Sequence, residues 1–359
     1  MKKQRIGIVG IGKISGIYLQ NLTGLFGKRL IVSGVTDLIA ERAAKAEEEY
    51  QVPHIQKTQD LLNSPDVDIV LNLTQPQHHH EVAMAAVKAG KHVYNEKPLC
   101  VKTEEAAELL RCAAENRVRV GGAPDTFLGA GIQTCRKLID DGWIGQPIAA
   151  AGFMMNHGHE HWHPAPEFYY QTGGGPMFDM GPYYLTALVS LLGPIARVSG
   201  SAKQGFKTRT ITSEPLNGTV IPVEVATHIA GILDFASGAV GTIITSFDVY
   251  SHTLPFIEVY GTEGSLRCPD PNTFGGPVFV RQGRAENWSE IPLIKNYPEN
   301  SRGLGITDMA EGISEGRPHR ASGELAYHVL EVMHGIHNAS ASGTYYELKS
   351  ACTRPEPLA

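Results

Sequence analysis

The sequence predicts an α/β protein: an N-terminal Rossmann-type, doubly wound parallel sheet, then an α/β domain with a large open, mostly antiparallel sheet. Over the first ~120 residues, short apolar, β-branched runs alternate with helical stretches, which is typical of a parallel sheet. Beyond residue 148, longer runs are joined by Gly-rich turns, which favours antiparallel pairing. We therefore expect two domains, 1–123 and 124–359.

The elements of the first domain follow from apolar periodicity and breaker residues. The predicted strands are 5–9, 30–35, 69–73, 92–94 and 118–121. The predicted helices begin near residue 17 and cover 40–50, 80–89 and 103–116. In the second domain, helices are predicted at 131–141 and 323–339, and strands at 226–235, 239–246 and 256–260.

Composition limits the class of function. At 359 residues the chain suits about two cores of the usual ~150 residues. A net charge of -6 disfavours nucleic acid as a partner, and no apolar run reaches the ~18 residues of a membrane helix. The five cysteines form no CxxC pair, which favours free thiols in a reducing cytoplasm. We therefore expect a cytoplasmic protein that binds small molecules.

A glycine loop between the first strand and the first helix has the spacing of a dinucleotide fingerprint. Gly10 permits the tight turn, Gly12 lets the backbone approach a pyrophosphate, and Ser15 stands where a third small residue is expected. We assign four loop residues to the cofactor: Gly10, Gly12, Lys13 and Ile14.

Asp37 ends the second predicted strand, about 20 residues after the loop, as the fingerprint requires. Its carboxylate would accept hydrogen bonds from the adenosine ribose hydroxyls and repel a 2′-phosphate, so we expect NAD rather than NADP. Arg42, one helical turn away, keeps NADP open. The alternative is an aspartate that only forms a turn at the strand end.

The segment 89–98, Ala-Gly-Lys-His-Val-Tyr-Asn-Glu-Lys-Pro, closely resembles the hallmark of the glucose–fructose oxidoreductase/inositol dehydrogenase/MocA (Gfo/Idh/MocA) family. The resemblance covers nearly the whole chain. It includes Thr74, His79, the stretch from 173–175 through Asp179 to Gly181, and 260–264. It implies a dehydrogenase that acts on a sugar, cyclitol or glycoside.

The resemblance also implies roles for single residues. Lys97 would hydrogen-bond the reacting hydroxyl and stabilise developing alkoxide. Pro98 matches the family's cis-proline, Glu96 would lie near the nicotinamide, and Thr74 and His79 would belong to the cofactor site. The alternative is that Lys97 and Glu96 form only a surface ion pair.

The resemblance breaks at the expected general base. Family members usually read Asp-x-Gly-x-His, whereas this chain has Asp179 followed by Tyr183 in the place of the histidine. Tyrosine ordinarily titrates near pH 10, against ~6.5 for histidine. Two possibilities stay open: Tyr183 is the base, or Asp179 orients the substrate while another histidine takes the proton.

Four histidines alternate along 157–163. If this segment is a strand, they project to one face. That arrangement favours a polar wall that binds sugar hydroxyls, with His161 or His163 as a candidate base. A zinc site is the sharper alternative, but no Asp or Cys stands at ligand spacing, so we expect no metal. A solvated loop without chemistry is the third possibility.

Four other residues near these segments have open or structural roles. Arg136 and Lys137 are expected to be ordinary surface charges. Asp125 and Phe127 follow a strand end, and a contact with substrate or cofactor is left open.

Together these features predict NAD-dependent oxidation of a secondary alcohol of a sugar or polyol. The catalytic candidates are Lys97, Asp179, Tyr183 and His161. An exposed apolar sheet face would require a homodimer or homotetramer. The alternatives are an NAD-dependent glycosidase with transient oxidation and a non-catalytic dinucleotide-binding sensor.

Overall fold

The structure, a computed structural model, describes residues 3–358. The strands are β1 Gln4–Val9, β2 Leu30–Thr36, β3 Ile69–Asn72, β4 His92–Asn95, β5 Val120–Gly122, β6 Pro147–Met155, β7 Ile195–Lys203, β8 Thr208–Thr210, β9 Val220–Pro222, β10 His228–Phe235, β11 Val240–Ser246, β12 Ile257–Gly261, β13 Gly264–Cys268, β14 Val278–Gln282, β15 Ser289–Ile291 and β16 Tyr346–Glu347. The helices are α1 Ser15–Thr23, α2 Ala40–Tyr50, α3 Thr58–Asn63, α4 His79–Lys88, α5 Thr103–Glu115, α6 Ala130–Asp140, α7 Pro176–Leu192, α8 Leu304–Glu315 and α9 Gly323–Ser342.

The chain folds into two compact units. The first contains the residues up to Leu128 together with Glu299–Leu330, and the second contains Gly129–Pro298 and the residues from Glu331 onward. The sequence division had assigned 299–330 to the second domain. In the structure α8 packs against β1 and β5 of the first unit. A helical pattern in sequence does not say which sheet the helix covers.

The first unit is built on a five-stranded parallel sheet with the order β2-β1-β3-β4-β5. The predicted doubly wound sheet is therefore confirmed. All four residues of β3 are buried, as the unbroken apolar run indicates for a central parallel strand. The strand β5 begins two residues later than predicted. Arg117 adopts a left-handed φ of 56°, and Val118 N–H donates to Ala113 O at 3.0 Å, so these residues end α5 instead.

The second unit is built on a nine-stranded sheet with the order β15-β14-β13-β12-β6-β11-β10-β7-β16. Only β6 and β11 pair in parallel; the other neighbours are antiparallel, which confirms the predicted class. The helix α7 packs on one face of β6, β10 and β11. It passes close to Gly152, where an added Cβ would lie 3.5 Å from Tyr184.

Residues 157–163 do not form the strand on which the alignment of the four histidines depended. Strand β6 ends at Met155, and the chain then turns because Asn156 Oδ1 accepts a hydrogen bond from Gly158 N–H at 2.8 Å. Gly158 has a φ of 84°, and a Cβ there would collide with the Tyr170 hydroxyl and the Glu160 carboxylate. The four histidines therefore do not share one strand face.

The expectation that Arg136 is a surface charge was also wrong. Its side chain is buried and donates to the carbonyls of Ser190 and Pro355 at 2.8 Å, and to Asp140 at 2.6 Å. Lys137, the next residue on α6, is exposed and pairs with Asp141 at 2.7 Å. Within residues 3–358, none of the helices is long and apolar enough to cross a membrane.

Candidate active site

Four segments of the first unit meet at the carboxyl edge of its sheet. Gly10 follows β1, Asp37 follows β2, Thr74 lies just beyond β3, and Glu96 and Lys97 follow β4. Because the strands are parallel, their carboxyl ends lie along one edge. Chain order reverses between β1 and β3, and such a switch point is where α/β sheets bind ligands. The structure thus brings the predicted cofactor segments together.

The glycine loop is shaped by its surroundings. Gly10 has a φ of 95°, and a Cβ there would lie 2.8 Å from Thr74 N and 2.9 Å from Leu73 O, so only glycine fits. A Cβ on Gly12 would meet nothing within 4 Å, so that side of the loop is open. Ser15 is buried, and its hydroxyl donates to Gly12 O at 2.7 Å. Ser15, the small residue at the third position of the fingerprint, thus stabilises the conformation of the glycine loop.

Helix α1 begins at this loop in a way that suits an anion. Its N-cap residue Ile14 makes no side-chain cap, and the first turn carries no acidic residue. The first N–H groups and the positive end of the helix dipole are therefore left without a side-chain partner. Lys13 is exposed on the same loop, and Ile14 is half-buried. This is the arrangement that binds phosphate groups at helix N-termini.

Asp37 is half-buried and connects the glycine loop after β1 with the loop after β2. Its Oδ2 accepts from Ile11 N–H at 2.6 Å and its Oδ1 from Ile39 N–H at 2.8 Å. A carboxylate offers about four acceptor positions, so two remain for a ligand. The backbone bonds hold the carboxylate in place beside the glycine loop.

The Glu96–Lys97–Pro98 turn is also held in place. The Lys97–Pro98 peptide bond is cis, as the resemblance implied. Glu96 Oε2 accepts from Lys97 N–H at 2.8 Å, and Glu96 Oε1 accepts from the Tyr18 hydroxyl at 2.8 Å. Burial, and then the Glu96 charge, hold the pKa of Tyr18 well above its usual value, so it remains a neutral donor. Lys97 is half-buried.

His79, which the resemblance assigned to the cofactor site, lies between the loops after β3 and β4. It is fully buried, with Nδ1 2.6 Å from Pro98 O and Nε2 3.0 Å from Thr74 O. Burial lowers its pKa. The imidazole therefore links the loops after β3 and β4 and would act on a cofactor only through them.

Two buried asparagines complete this link, and the sequence analysis missed both. Asn72 Nδ2 donates to Asn95 Oδ1 at 3.0 Å, and Asn72 Oδ1 accepts from the Thr74 hydroxyl at 2.6 Å. Asn95 Nδ2 donates to Leu99 O at 2.9 Å. The available signal was an amide at the end of each of two buried apolar strands, where a polar group needs a partner.

Asp125 and Phe127, whose roles were left open, are both buried in the first unit. Asp125 Oδ2 accepts from the N–H groups of Gly303 and Gly305 at 2.9 Å each, at the start of α8. Burial raises the pKa of Asp125 to about 6. These contacts give Asp125 a structural role.

In the second unit, α7 carries Asp179 and Tyr183 one helical turn apart. The helix begins after Gly175, which has a φ of 89°, with Pro176 in its first turn. One partner of Asp179 is His159, whose Nε2 lies 3.4 Å from Asp179 Oδ2. The side chain of His159 is 10% exposed and that of Asp179 17%. Tyr183 is buried on the same helix.

The other histidines of 157–163 have different surroundings. His157 stacks on Tyr250 with ring centroids 3.7 Å apart. His161, the predicted catalytic histidine, is exposed on a turn, and His163 Nδ1 accepts from Ala165 N–H at 3.1 Å. His159 was missed because nothing in the sequence distinguishes which of the four histidines reaches Asp179. The sequence signal that could have pointed to His159 was Asp179, which has Tyr183 in the place of the family's usual histidine.

A buried charge cluster anchors the His159 loop. Arg209 donates to Glu160 Oε1 at 3.1 Å and also pairs with Asp248. The Tyr170 hydroxyl donates to Glu160 and accepts from His159 N–H. Burial, and then the hydrogen bond to Glu160, raise the pKa of Tyr170, so it stays protonated. The loop is thus fixed on both sides of His159.

A metal site would need several His, Cys, Asp or Glu side chains close together. Across the described residues 3–358, no group of three or more His, Cys, Asp or Glu side chains is arranged to hold a metal ion.

Two family models match the chain. One, described as "Oxidoreductase family, NAD-binding Rossmann fold", matches residues 4–122, and the other, "GFO/IDH/MocA C-terminal domain", matches 132–267.

Individual proteins give the same result. A 1,5-anhydro-D-fructose reductase from Ensifer adhaerens is 28% identical over 96% of this chain and 99% of its own. An inositol 2-dehydrogenase 3 from Saccharopolyspora erythraea is 32% identical over 80% of each chain. A solved levoglucosan dehydrogenase in complex with NADH superposes with a TM-score of 0.83 over 98% of this chain and 100% of its own; at 19% identity, this likeness shows the fold alone.

Proposed function

The chain belongs to the Gfo/Idh/MocA family of oxidoreductases, and from this premise we propose that it transfers a hydride between a secondary hydroxyl of a sugar, cyclitol or glycoside and NAD. Its N-terminal part is an NAD-binding Rossmann fold. One observation carries the proposal: Lys97 follows β4 at the same sheet edge as the glycine loop and Asp37. This places a cation at the edge where the dinucleotide would bind.

The cofactor fits the residues at this edge. The open side of Gly12 and the uncapped start of α1 would receive the pyrophosphate. The two remaining acceptor positions of Asp37 would bind the adenosine ribose hydroxyls, and its charge favours NAD over NADP. Arg42 is exposed on α2, so use of NADP stays possible. Thr74 and Glu96 would complete the site beside the nicotinamide.

The chemistry divides between the cofactor and the chain. NAD, when bound, supplies the hydride acceptor. Lys97 would donate a hydrogen bond to the reacting hydroxyl and stabilise negative charge on its oxygen as the carbonyl forms. Asp179 would orient the substrate or its proton acceptor, and Tyr183 and His161 are the proton acceptors that the sequence suggested. The substrate class rests on relatives whose names include inositol dehydrogenases and an anhydrofructose reductase.

We also propose that the second unit forms a homodimer or homotetramer through its open sheet face. On β10 and β11, Ile232 is 39% exposed and Val240 49% exposed, and Ile244 lies beside Phe153 in register. An apolar face of this kind is normally covered by another copy. Light scattering would test this: a monomer at micromolar concentration would contradict it.

A cytoplasmic location is proposed from the cysteines. All five are free thiols, and four of them are buried. Free buried thiols suit a reducing compartment. Fractionation of the producing cell would test this proposal.

The proposed function is tested with a panel of sugars, cyclitols and glycosides, with NADH formation followed by absorbance. NADH accumulation with one or more members supports a dehydrogenase. Cleavage of a glycoside without NADH accumulation would contradict it and favour transient oxidation. NAD binding without turnover of any panel member would favour a sensor.

A further inference from the structure

We propose that His159 accepts the proton of the reacting hydroxyl, a role that rests on the proposed dehydrogenase function. Position 183, where the family template has its histidine, is occupied by Tyr183. The imidazole that reaches Asp179 in the structure comes instead from the loop after β6, with Nε2 3.4 Å from Asp179 Oδ2. The aspartate thus keeps a histidine partner, supplied by a different element.

The contact with Asp179 selects the reactive nitrogen. An ionised carboxylate only accepts hydrogen bonds, so Nε2 carries the hydrogen and Nδ1 keeps its lone pair. Within residues 3–358, His159 Nδ1 makes no hydrogen bond. This atom is not completely buried. We assign this nitrogen to the reacting hydroxyl. Hydrogen bonds of catalytic groups are often long before the substrate binds.

The ring of His159 is held in position from several sides. Its centroid lies 4.0 Å from that of Tyr169, 4.7 Å from that of Phe247 and 5.4 Å from that of Trp162. Its backbone N–H donates to the Tyr170 hydroxyl at 3.4 Å. These contacts restrict rotation of the ring, so little entropy is lost when the substrate binds. The side chain of His161 is exposed.

The proposed step is balanced. The hydroxyl O–H bond breaks and its proton goes to His159 Nδ1, while the carbon's hydride goes to NAD, the oxidant of the proposed function. The oxygen keeps the electron pair, which forms the carbonyl. The imidazolium then lies beside the Asp179 carboxylate, which stabilises its charge until the proton passes to water. In the reverse direction His159 donates the proton.

The test compares kcat and NAD affinity for the wild type and three variants: His159→Gln, His161→Gln and Tyr183→Phe. Loss of a general base typically costs about 10²–10⁴ in rate, so we expect His159→Gln to lose that much in kcat with NAD affinity changed by less than about twofold. His252→Gln is a matched control, since it removes an imidazole from a loop of the same unit, where Nδ1 accepts a hydrogen bond from Leu254 N–H at 3.2 Å. It should keep the wild-type kcat.

Two further variants separate proton transfer from folding. Asp179→Asn offers an amide donor to Nε2, which places the ring hydrogen on Nδ1 and should lower kcat about as much as His159→Gln. His159→Ala should recover part of its rate with added imidazole, and a purely structural role would show no recovery. If His159→Gln fails to bind NAD, the kcat of Asp179→Asn and the imidazole rescue of His159→Ala decide between a proton-transfer role and a structural role for His159.

The outcomes distinguish the two proposals. A wild type that binds NAD but oxidises no panel member would overturn the dehydrogenase function and this role with it. A wild type that turns over, with His159→Gln reduced by less than about tenfold, would overturn the His159 role alone. A larger loss in Tyr183→Phe or His161→Gln than in His159→Gln would also overturn it.

Discussion

The sites of the two units are assembled in different ways. In the first unit, each proposed cofactor-binding segment directly follows a strand of one parallel sheet, so local order along the chain fixes which side chains meet. In the second unit, Asp179 on α7 meets His159, 20 residues earlier on an irregular loop. That loop is held by a buried charge cluster that includes Arg209 of β8. The residues of the first site can therefore be found from strand ends, whereas the partner of Asp179 depends on how a loop folds.

The largest effect is expected in the first unit, from Lys97→Ala. If this cation stabilises the alkoxide, kcat should fall on the order of 10³-fold with little change in NAD affinity. The measurement is steady-state turnover together with NAD binding. Lys88→Ala, at an exposed lysine of α4, is the control and should behave as wild type. Equal loss of turnover and NAD binding in Lys97→Ala would assign the residue to the cofactor instead.

The second unit should respond most to Arg209→Leu. The guanidinium is buried against Glu160 and Asp248, and its removal leaves two buried carboxylates without their partner. We expect the free energy of unfolding of this unit to fall by about 3 kcal/mol. Denaturant unfolding checks this, with Arg197→Leu, at a half-exposed ion pair to Asp234, as the matched control. A loss of equal size in both variants would contradict an anchoring role for the cluster.

The difference between the units also explains what the sequence could predict. The five strands of the first sheet, its glycine loop and Asp37 follow from periodicity and spacing, and the family resemblance supplied Lys97. The packing of residues 299–330 in the first unit could not be predicted, because the apolar pattern of a helix does not show which sheet the helix packs against. His159 could not be distinguished from its three neighbours, because its approach to Asp179 depends on a turn at Asn156 and Gly158 against which Tyr170 and Glu160 pack.

A smaller effect is expected for Asp37→Ala. Loss of a charged acceptor for the ribose hydroxyls should shift the NAD to NADP preference by about 10- to 100-fold, since such bonds contribute about 1.5–3 kcal/mol. The ratio of kcat/KM for the two cofactors is the measurement. The two backbone bonds of Asp37 are also lost, so thermal stability must be recorded in parallel. An unchanged ratio in a stable variant would remove Asp37 from the cofactor site.

The smallest effect concerns Asp125 and pH. Its pKa in the folded state, about 6, lies above the ordinary value of 3.8. The stability that this residue contributes is therefore present at low pH and lost as pH rises through about 6. Asp125→Asn keeps an acceptor for Gly303 and Gly305 but cannot ionise. Between about pH 5 and 7.5, its free energy of unfolding should gain about 1.4 kcal/mol relative to wild type. A difference independent of pH would contradict the buried ionisation.

Hydride transfer itself can be observed with a substrate of the panel that carries deuterium on its reacting carbon. The account predicts that deuterium appears on C4 of the NADH produced, and that Lys97→Ala forms this product far more slowly. Oxidised substrate without deuterium in the NADH, or bound NAD that acquires no label from any panel member, would contradict the central claim.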